Sequence, residues 1–240
     1  MIGIFRKKKV ENFLKTDVHS HLLPGIDDGV QTIEESITII QKLSELGFEK
    51  IITTPHIIGD FYPNTPEIIS SKLNQLKSEI REKGINIEIE AAAEYLIDDH
   101  FIDLLDSEEK LLTFGDSFIL IETPFLNKPF FLEDVIFKLK AKGYQPVLAH
   151  PERYLYLQED YSLIQEILNT HVLLQLNLTS LVGHYSRGTQ KLAEYLIDNN
   201  HIHFLGSDIH NVRHFDMYQK ALSSKYFDKC RQLFLYNNTL

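Results

Sequence analysis

Cysteine is nearly absent. Cys230 stands alone among 240 residues, so no disulfide can form within the chain, and a reducing compartment fits that usage. The same residue fails as a phosphatase nucleophile, because cysteine phosphatases follow the thiol with a phosphate-cradling arginine and the corresponding position here is Tyr236. Long apolar runs are missing too: none approaches the ~18–20 residues that span a bilayer, and the start, MIGIFRKKKVENF, lacks the stretch of a secretory signal. A cytoplasmic protein without a transmembrane segment is expected. Basic charge is scarce, with 24 Lys and Arg against 34 Asp and Glu, and the net charge of −10 disfavours nucleic acid as a partner. The patch Arg6–Lys9 lies in a basic N-terminal extension, residues 1–15, and reads as solvated. No low-complexity stretch, Pro/Gly-rich linker or charge shift divides the chain, so one domain over residues 1–240 is expected.

What recurs instead is a short apolar run followed by an amphipathic stretch, the pattern of βα units and a largely parallel sheet. Apolar runs near Thr16–Val18, Lys50–Thr53, Asn86–Ala92, Phe118–Ile121, Gln145–Ala149, Val172–Leu176 and Ile202–Leu205 give seven strands. Between the first two, Thr32 and Glu35 form a capping-box signature, Ile33, Ile37, Ile40 and Leu43 keep helical spacing, and Gly47 stops the helix. Thr65-Pro66 opens a second helix with the stripe Ile69, Leu73, Leu76 and Ile80, closed by Gly84; Phe131–Lys142 repeats the pattern before Gly143.

In a parallel α/β barrel, reactive groups sit where strands end, on the C-terminal rim. Six of the seven strands end in a metal-ligating residue: Asp17-Val18-His19-Ser20-His21, Thr54-Pro55-His56, Ala93-Glu94, Ile121-Glu122, Ala149-His150 and Ser207-Asp208-Ile209-His210. His19 with His21, and Asp208 with His210, are two apart, which in extended chain puts both members of a pair on one side. Imidazole and carboxylate suit zinc, iron or manganese. His201 and His203 share the spacing but precede the seventh strand, at the opposite end, and are read as structural or surface residues. The turn Pro24-Gly25-Ile26-Asp27-Asp28-Gly29 sets two carboxylates beside the first pair, where one of them can reach over the mouth. Tyr95, Tyr154 and Tyr156 could wall a pocket, and none is given a role.

The set His19-Ser20-His21, Asp27-Asp28-Gly29, Thr54-Pro55-His56, Ala93-Glu94, Ile121-Glu122, His150-Pro151-Glu152-Arg153-Tyr154 and Ser207-Asp208-Ile209-His210-Asn211 resembles the polymerase and histidinol phosphatase (PHP) superfamily. More narrowly it resembles the CpsB/CapC capsule-type tyrosine phosphatases, from residue 16 onward. That resemblance implies a distorted (β/α)₇ TIM-like barrel with three divalent metals, manganese first and iron, magnesium or zinc as alternatives. His19, His21, Glu94 and Asp208 would hold one metal, Glu94, Glu122 and His150 a second, and Asp28, His56 and His210 a third. The implied activity is hydrolysis of phosphotyrosine on the tail of a membrane-associated bacterial tyrosine autokinase that governs capsule or exopolysaccharide export. Arg153 is a candidate phosphate clamp, since a guanidinium offers a planar fork of donors; its alternative is an ion pair with Glu152 or another carboxylate. The family carries a further arginine after the last segment, and Arg213 stands nearest to it, earlier and without the proline that usually follows. Other readings are a small-molecule phosphatase of histidinol-phosphatase type and a non-catalytic, metal-stabilised adaptor. An amidohydrolase is disfavoured because no lysine lies at a strand end.

Overall fold

The computed structural model describes residues 12–240, so the Arg6–Lys9 patch lies outside the described residues. All the strand pairs are parallel. β1 (Thr16–Asp17), β2 (Lys50–Thr53) and β4 (Glu88–Ala91) form one sheet, in that order. A second runs β3 (His56–Ile57), β5 (Glu94–Leu96), β6 (Phe118–Glu122), β7 (Gln145–Ala149), β8 (Leu173–Asn177) and β9 (Phe204–Gly206). β3 continues β2 beyond Thr54-Pro55, where proline has no N–H to give the ladder, and β5 continues β4 beyond Ala92-Ala93. Counted that way, seven strands stand in a distorted (β/α)₇ barrel. The sequence places all seven and misses the two continuations.

The seam between β9 and β1 carries the distortion. Higher up, Ser20 bridges Ile209, with Asp208 N–H donating to His19 O (2.8 Å) and His21 N–H to Ile209 O (3.0 Å). Lower down a side chain replaces the ladder: buried Asn237 donates to Thr16 O (2.9 Å) and Leu205 O (2.8 Å) and accepts from Leu205 N–H (2.9 Å).

Between strands the chain supplies helices where the caps demand them. Thr32 caps α1 (Ile33–Glu45) by accepting from Glu35 N–H, although Glu35 returns its carboxylate to Gln31 rather than to Thr32, so only half the capping box forms. Thr65 caps α2 (Pro66–Glu82), and α4 (Leu132–Ala141) ends at Gly143. Unforeseen are α3 (Asp99–Asp106), α5 (Leu155–Glu159), α6 (Ser162–Asn169), α7 (Arg187–Asp198), α8 (Val212–Ala221) and α9 (Lys225–Cys230).

Two apolar layers result. Helix stripes pack on the outer strand faces, while Val18, Ile52, Ala92, Leu120, Val147, Ala149 and Phe204 fill the barrel. Phe114, Phe118 and Tyr236 close its floor around Phe204, with ring centroids 5.1–5.5 Å apart. In β8, Leu173, Gln175 and Asn177 alternate with Leu174 and Leu176, which face the helices, so two polar side chains climb from the floor toward the rim.

Candidate metal centre

Backbone pairing assembles the rim. Ser20 O accepts from Thr54 N–H (2.7 Å), so the His19–His21 segment is held from both sides. His56 and Glu94 are register partners, as are Leu96 and Glu122. His150 and Asp208 take left-handed backbone, φ 34° and φ 50°, which costs about 1–3 kcal/mol each in a residue with a Cβ and turns their side chains into the mouth. Gly29 and Gly206 are required here. A Cβ on Gly29 would stand 2.3 Å from His21 O, and one on Gly206 2.7 Å from His19 Cβ.

All nine sequence-predicted ligand positions come together. Among the described residues, four sets of donors converge with ligand atoms within 4.8 Å: His21, Asp28, His56 and His210; His19, His21 and Glu94; His19, His150 and Asp208; and His56, Glu94 and Glu122. Asp28, His56 and His210 group as expected, whereas His56 faces Glu94 and Glu122 more closely (3.1 Å to each) than the expected His150 does Glu122 (3.8 Å). His150 Nε2 meets Glu94 Oε1 at 2.9 Å.

The cluster's hydrogen bonds test whether cations fit it. His21 Nδ1 is 2.8 Å from Asp27 Oδ2, and His19 Nδ1 is 2.7 Å from Gln175 Oε1. Both partners are acceptors, because Gln175 spends its Nε2 on Asn177 (3.0 Å). In the neutral form of each imidazole, the form that binds a metal, the proton therefore sits on Nδ1, leaving two Nε2 lone pairs 3.3 Å apart and pointing at carboxylates. Glu94 Oε2 lies 3.1–3.4 Å from nitrogens of His19, His21 and His56 yet accepts a hydrogen bond from none. Electron-rich atoms that face each other, buried and unpaired, fit divalent cations.

The same proximity tunes acidity. Burial would push the His19 imidazolium down, but Glu94 and Asp208 outweigh it and hold the group at about 9. Burial likewise opposes, but Asp27 drives, a rise of His21 well above its ordinary value. Burial disfavours the charged forms of Glu94 and Asp208, yet neighbouring imidazoles, His19 foremost, hold both well below the usual carboxylate range. Asp28 falls to about 2 because His210 and His56 outweigh its burial.

Asp208 divides its oxygens. Oδ1 faces His19, His21 and His210 at 3.4 Å each, while Oδ2 accepts from Asn177 (2.6 Å), Arg153 (3.0 Å) and Tyr185 (3.1 Å). Arg153 thus pairs with Asp208 and not with Glu152, which turns inward to accept from Asn177 N–H and Ser180 Oγ and is pushed up to about 7 by burial. A pocket of about 190 Å³ is lined by seven of the ligand candidates with Arg153, Ile58, Tyr62 and Phe125.

The remaining residues singled out by the sequence lie outside the cluster. Arg213 does not line the pocket: Asn211 caps α8 by accepting from Arg213 N–H (3.0 Å), which places the side chain, exposed, on the helix's first turn. Tyr95 and Tyr154 are core residues whose hydroxyls accept from Leu112 and Thr123 N–H, and Tyr156 bonds Thr123 Oγ1. His203 accepts from Leu174 N–H away from the mouth, as its position before β9 implies. Cys230 is buried, its thiol pushed up to about 12. Sequence reasoning missed Gln175, Asn177 and Tyr185, and gave Asp27 no role distinct from Asp28's.

The profile of the family described as capsular polysaccharide synthesis, CpsB/CapC, matches residues 15–239. The chain belongs to the CpsB/CapC family. Among curated relatives of this CpsB/CapC chain, the putative tyrosine-protein phosphatase CapC of Staphylococcus aureus is 32% identical over 82% of this chain and 77% of its own length. The tyrosine-protein phosphatase YwqE of Bacillus subtilis is also 32% identical, over 82% and 78%. Crystal structures of YwqE and of CpsB from Streptococcus pneumoniae, described as unique metal-dependent tyrosine phosphatases, include a chain that superposes with a TM-score of 0.78, 29% identical and covering 91% of this chain and 94% of that one. A histidinol phosphate phosphatase from Lactococcus lactis shares the fold at 15% identity and a TM-score of 0.53, covering 88% and 92%.

Proposed function

We propose that this CpsB/CapC protein is a cytoplasmic, metal-dependent protein-tyrosine phosphatase that acts on the tail of a membrane-associated tyrosine autokinase and so regulates capsule or exopolysaccharide synthesis. The observation that carries the chemistry is Glu94 Oε2, which faces three imidazole nitrogens without a hydrogen bond. The substrate is carried by family membership and by relatives named tyrosine-protein phosphatases. Among the described residues no helix is long and apolar enough to cross a membrane.

His19, His21, Asp28, His56, Glu94, Glu122, His150, Asp208 and His210 would hold three divalent cations, manganese first. When bound, such cations lower the pKa of water and neutralise phosphoryl oxygens. The residues do the rest. Asp27 and Gln175 fix the ring protons of His21 and His19, keeping the Nε2 lone pairs inward. Arg153 spends one N–H on Asp208 and has no further acceptor among the described residues, so its remaining donors are free for non-bridging phosphate oxygens. A tyrosyl leaving group, with a parent phenol pKa near ~10, departs with less proton assistance than an alkoxide.

The test is purified protein with its metal content measured, assayed on phosphotyrosine peptide, phosphoserine peptide and histidinol phosphate. Preferred turnover of the first, lost in His21→Ala and on chelation, is expected. Metal-replete protein that prefers histidinol phosphate, or that releases no phosphate at all, overturns the proposal.

A further inference from the structure

Resting on that reading, we infer that Tyr185 is a positioning residue for phosphate binding: it fixes the plane of the Arg153 guanidinium through its ring and through their shared acceptor, Asp208.

The Arg153 guanidinium carbon lies 4.3 Å from the ring centroid of Tyr185 and 4.7 Å from that of Phe125. A guanidinium over aromatic faces keeps its charge while its donors stay in the ring-parallel plane. The Tyr185 hydroxyl supplies a second constraint. It accepts from Asn177 Nδ2 (3.4 Å) and donates to Asp208 Oδ2 (3.1 Å), the oxygen that also takes Arg153 Nη1 (3.0 Å). Asn177 takes a further direction of Oδ2 at 2.6 Å, and Oδ1 is turned to His19, His21 and His210 at 3.4 Å each, so Arg153 meets this carboxylate through Oδ2 alone. The result is an arginine held by one prong with the others unspent.

Tyr185 is itself held. It follows Gly183, whose φ of 70° ends the 3₁₀ turn Leu178–Val182, and precedes Ser186, which caps α7. The His184 ring packs edge-on against it at 4.8 Å. Phe125, on the loop after β6, is 39% exposed and Tyr185 is less so, which makes Tyr185 the more enclosed of the two walls.

The experiment compares Tyr185→Leu and Tyr185→Phe with the wild type as full-length, manganese-loaded protein. It measures the dissociation constant of inorganic phosphate by calorimetry, metal content, and kcat and KM for a phosphotyrosine peptide. Tyr185→Leu is expected to raise both the phosphate dissociation constant and KM about tenfold, with metal content unchanged. Tyr185→Phe, which keeps the ring, is expected to shift them about two- to threefold. Unchanged phosphate affinity in Tyr185→Leu beside an active wild type overturns the inference and leaves the phosphatase reading intact. Loss of metal in step with affinity overturns it too, because Tyr185 would then serve Asp208 alone. A metal-replete wild type that neither binds phosphate nor turns over the peptide sinks the reading and the inference together.

Discussion

His21 donates its Nδ1–H to Asp27 at 2.8 Å, and the same carboxylate accepts from the backbone N–H of Gly29 and of His56. One side chain thereby sets a ring tautomer, a turn and the start of β3. Asp27→Asn keeps the shape but can present an N–H to Nδ1, which favours the wrong tautomer. Metal affinity is expected to fall about 10–100-fold, read by competition with a chelator. Wild-type affinity would refute the tautomer argument.

The two arginines should part company. Arg153→Ala is expected to lower kcat/KM on a phosphotyrosine peptide by about 10²–10³ with metal content retained. Arg213→Ala, on the solvent face of α8, is expected to stay within about twofold of wild type. Equal losses in both would place Arg213 at the phosphate despite its distance from the pocket lining.

Acidity predicts how metal-free protein responds to pH. The folded pKa of His19, about 9, exceeds its unfolded value near ~6.5, so its stabilisation is complete below ~6.5 and is lost as pH climbs through about 9. Glu94 and Asp208 are held low, so theirs is present above ~4 and lost on acidification. Tm in excess chelator should therefore be highest near pH ~5–6 and decline toward pH 9. Manganese-loaded protein, whose ligand imidazoles must be deprotonated, should not share the alkaline decline. A chelated protein whose Tm rises steadily to pH 9 contradicts this.

Gly29→Ala sets a methyl group against the His21 carbonyl, where backbone must yield. A loss of about 2–3 kcal/mol in denaturant unfolding is expected, with weakened metal binding because His21 moves. Full stability and metal content in this variant would mean that the turn relaxes freely.

How much of this was legible in the sequence follows from range. Strand ends and i, i+2 pairs are local, so His19, His21, Asp208 and His210 could be read directly, and barrel polarity separated His203 from them. β3 and β5 escaped because two or three residues after an interruption carry no periodicity. Gln175 and Asn177 leave a signal, the alternation with Leu174 and Leu176 in β8, but amide side chains are not metal ligands and so do not stand out among the rim residues. Tyr185 left none: its role comes from reaching Asp208, 23 positions away. Arg213 is near His210 in sequence, yet the helix that Asn211 starts sets it on an exposed first turn.

The seam stapled by Asn237 joins the two ends of the described chain. Thr16 waits for a partner 221 positions downstream, and Asp17 for Ser207, 190 positions away. While the nascent chain leaves the ribosome, β1 has only β2 beside it, and His19 and His21 lack the carboxylate of Asp208. A chain that ends just before Asn237 would carry all nine candidate ligands but lack the amide that joins Thr16 to Leu205 beneath them.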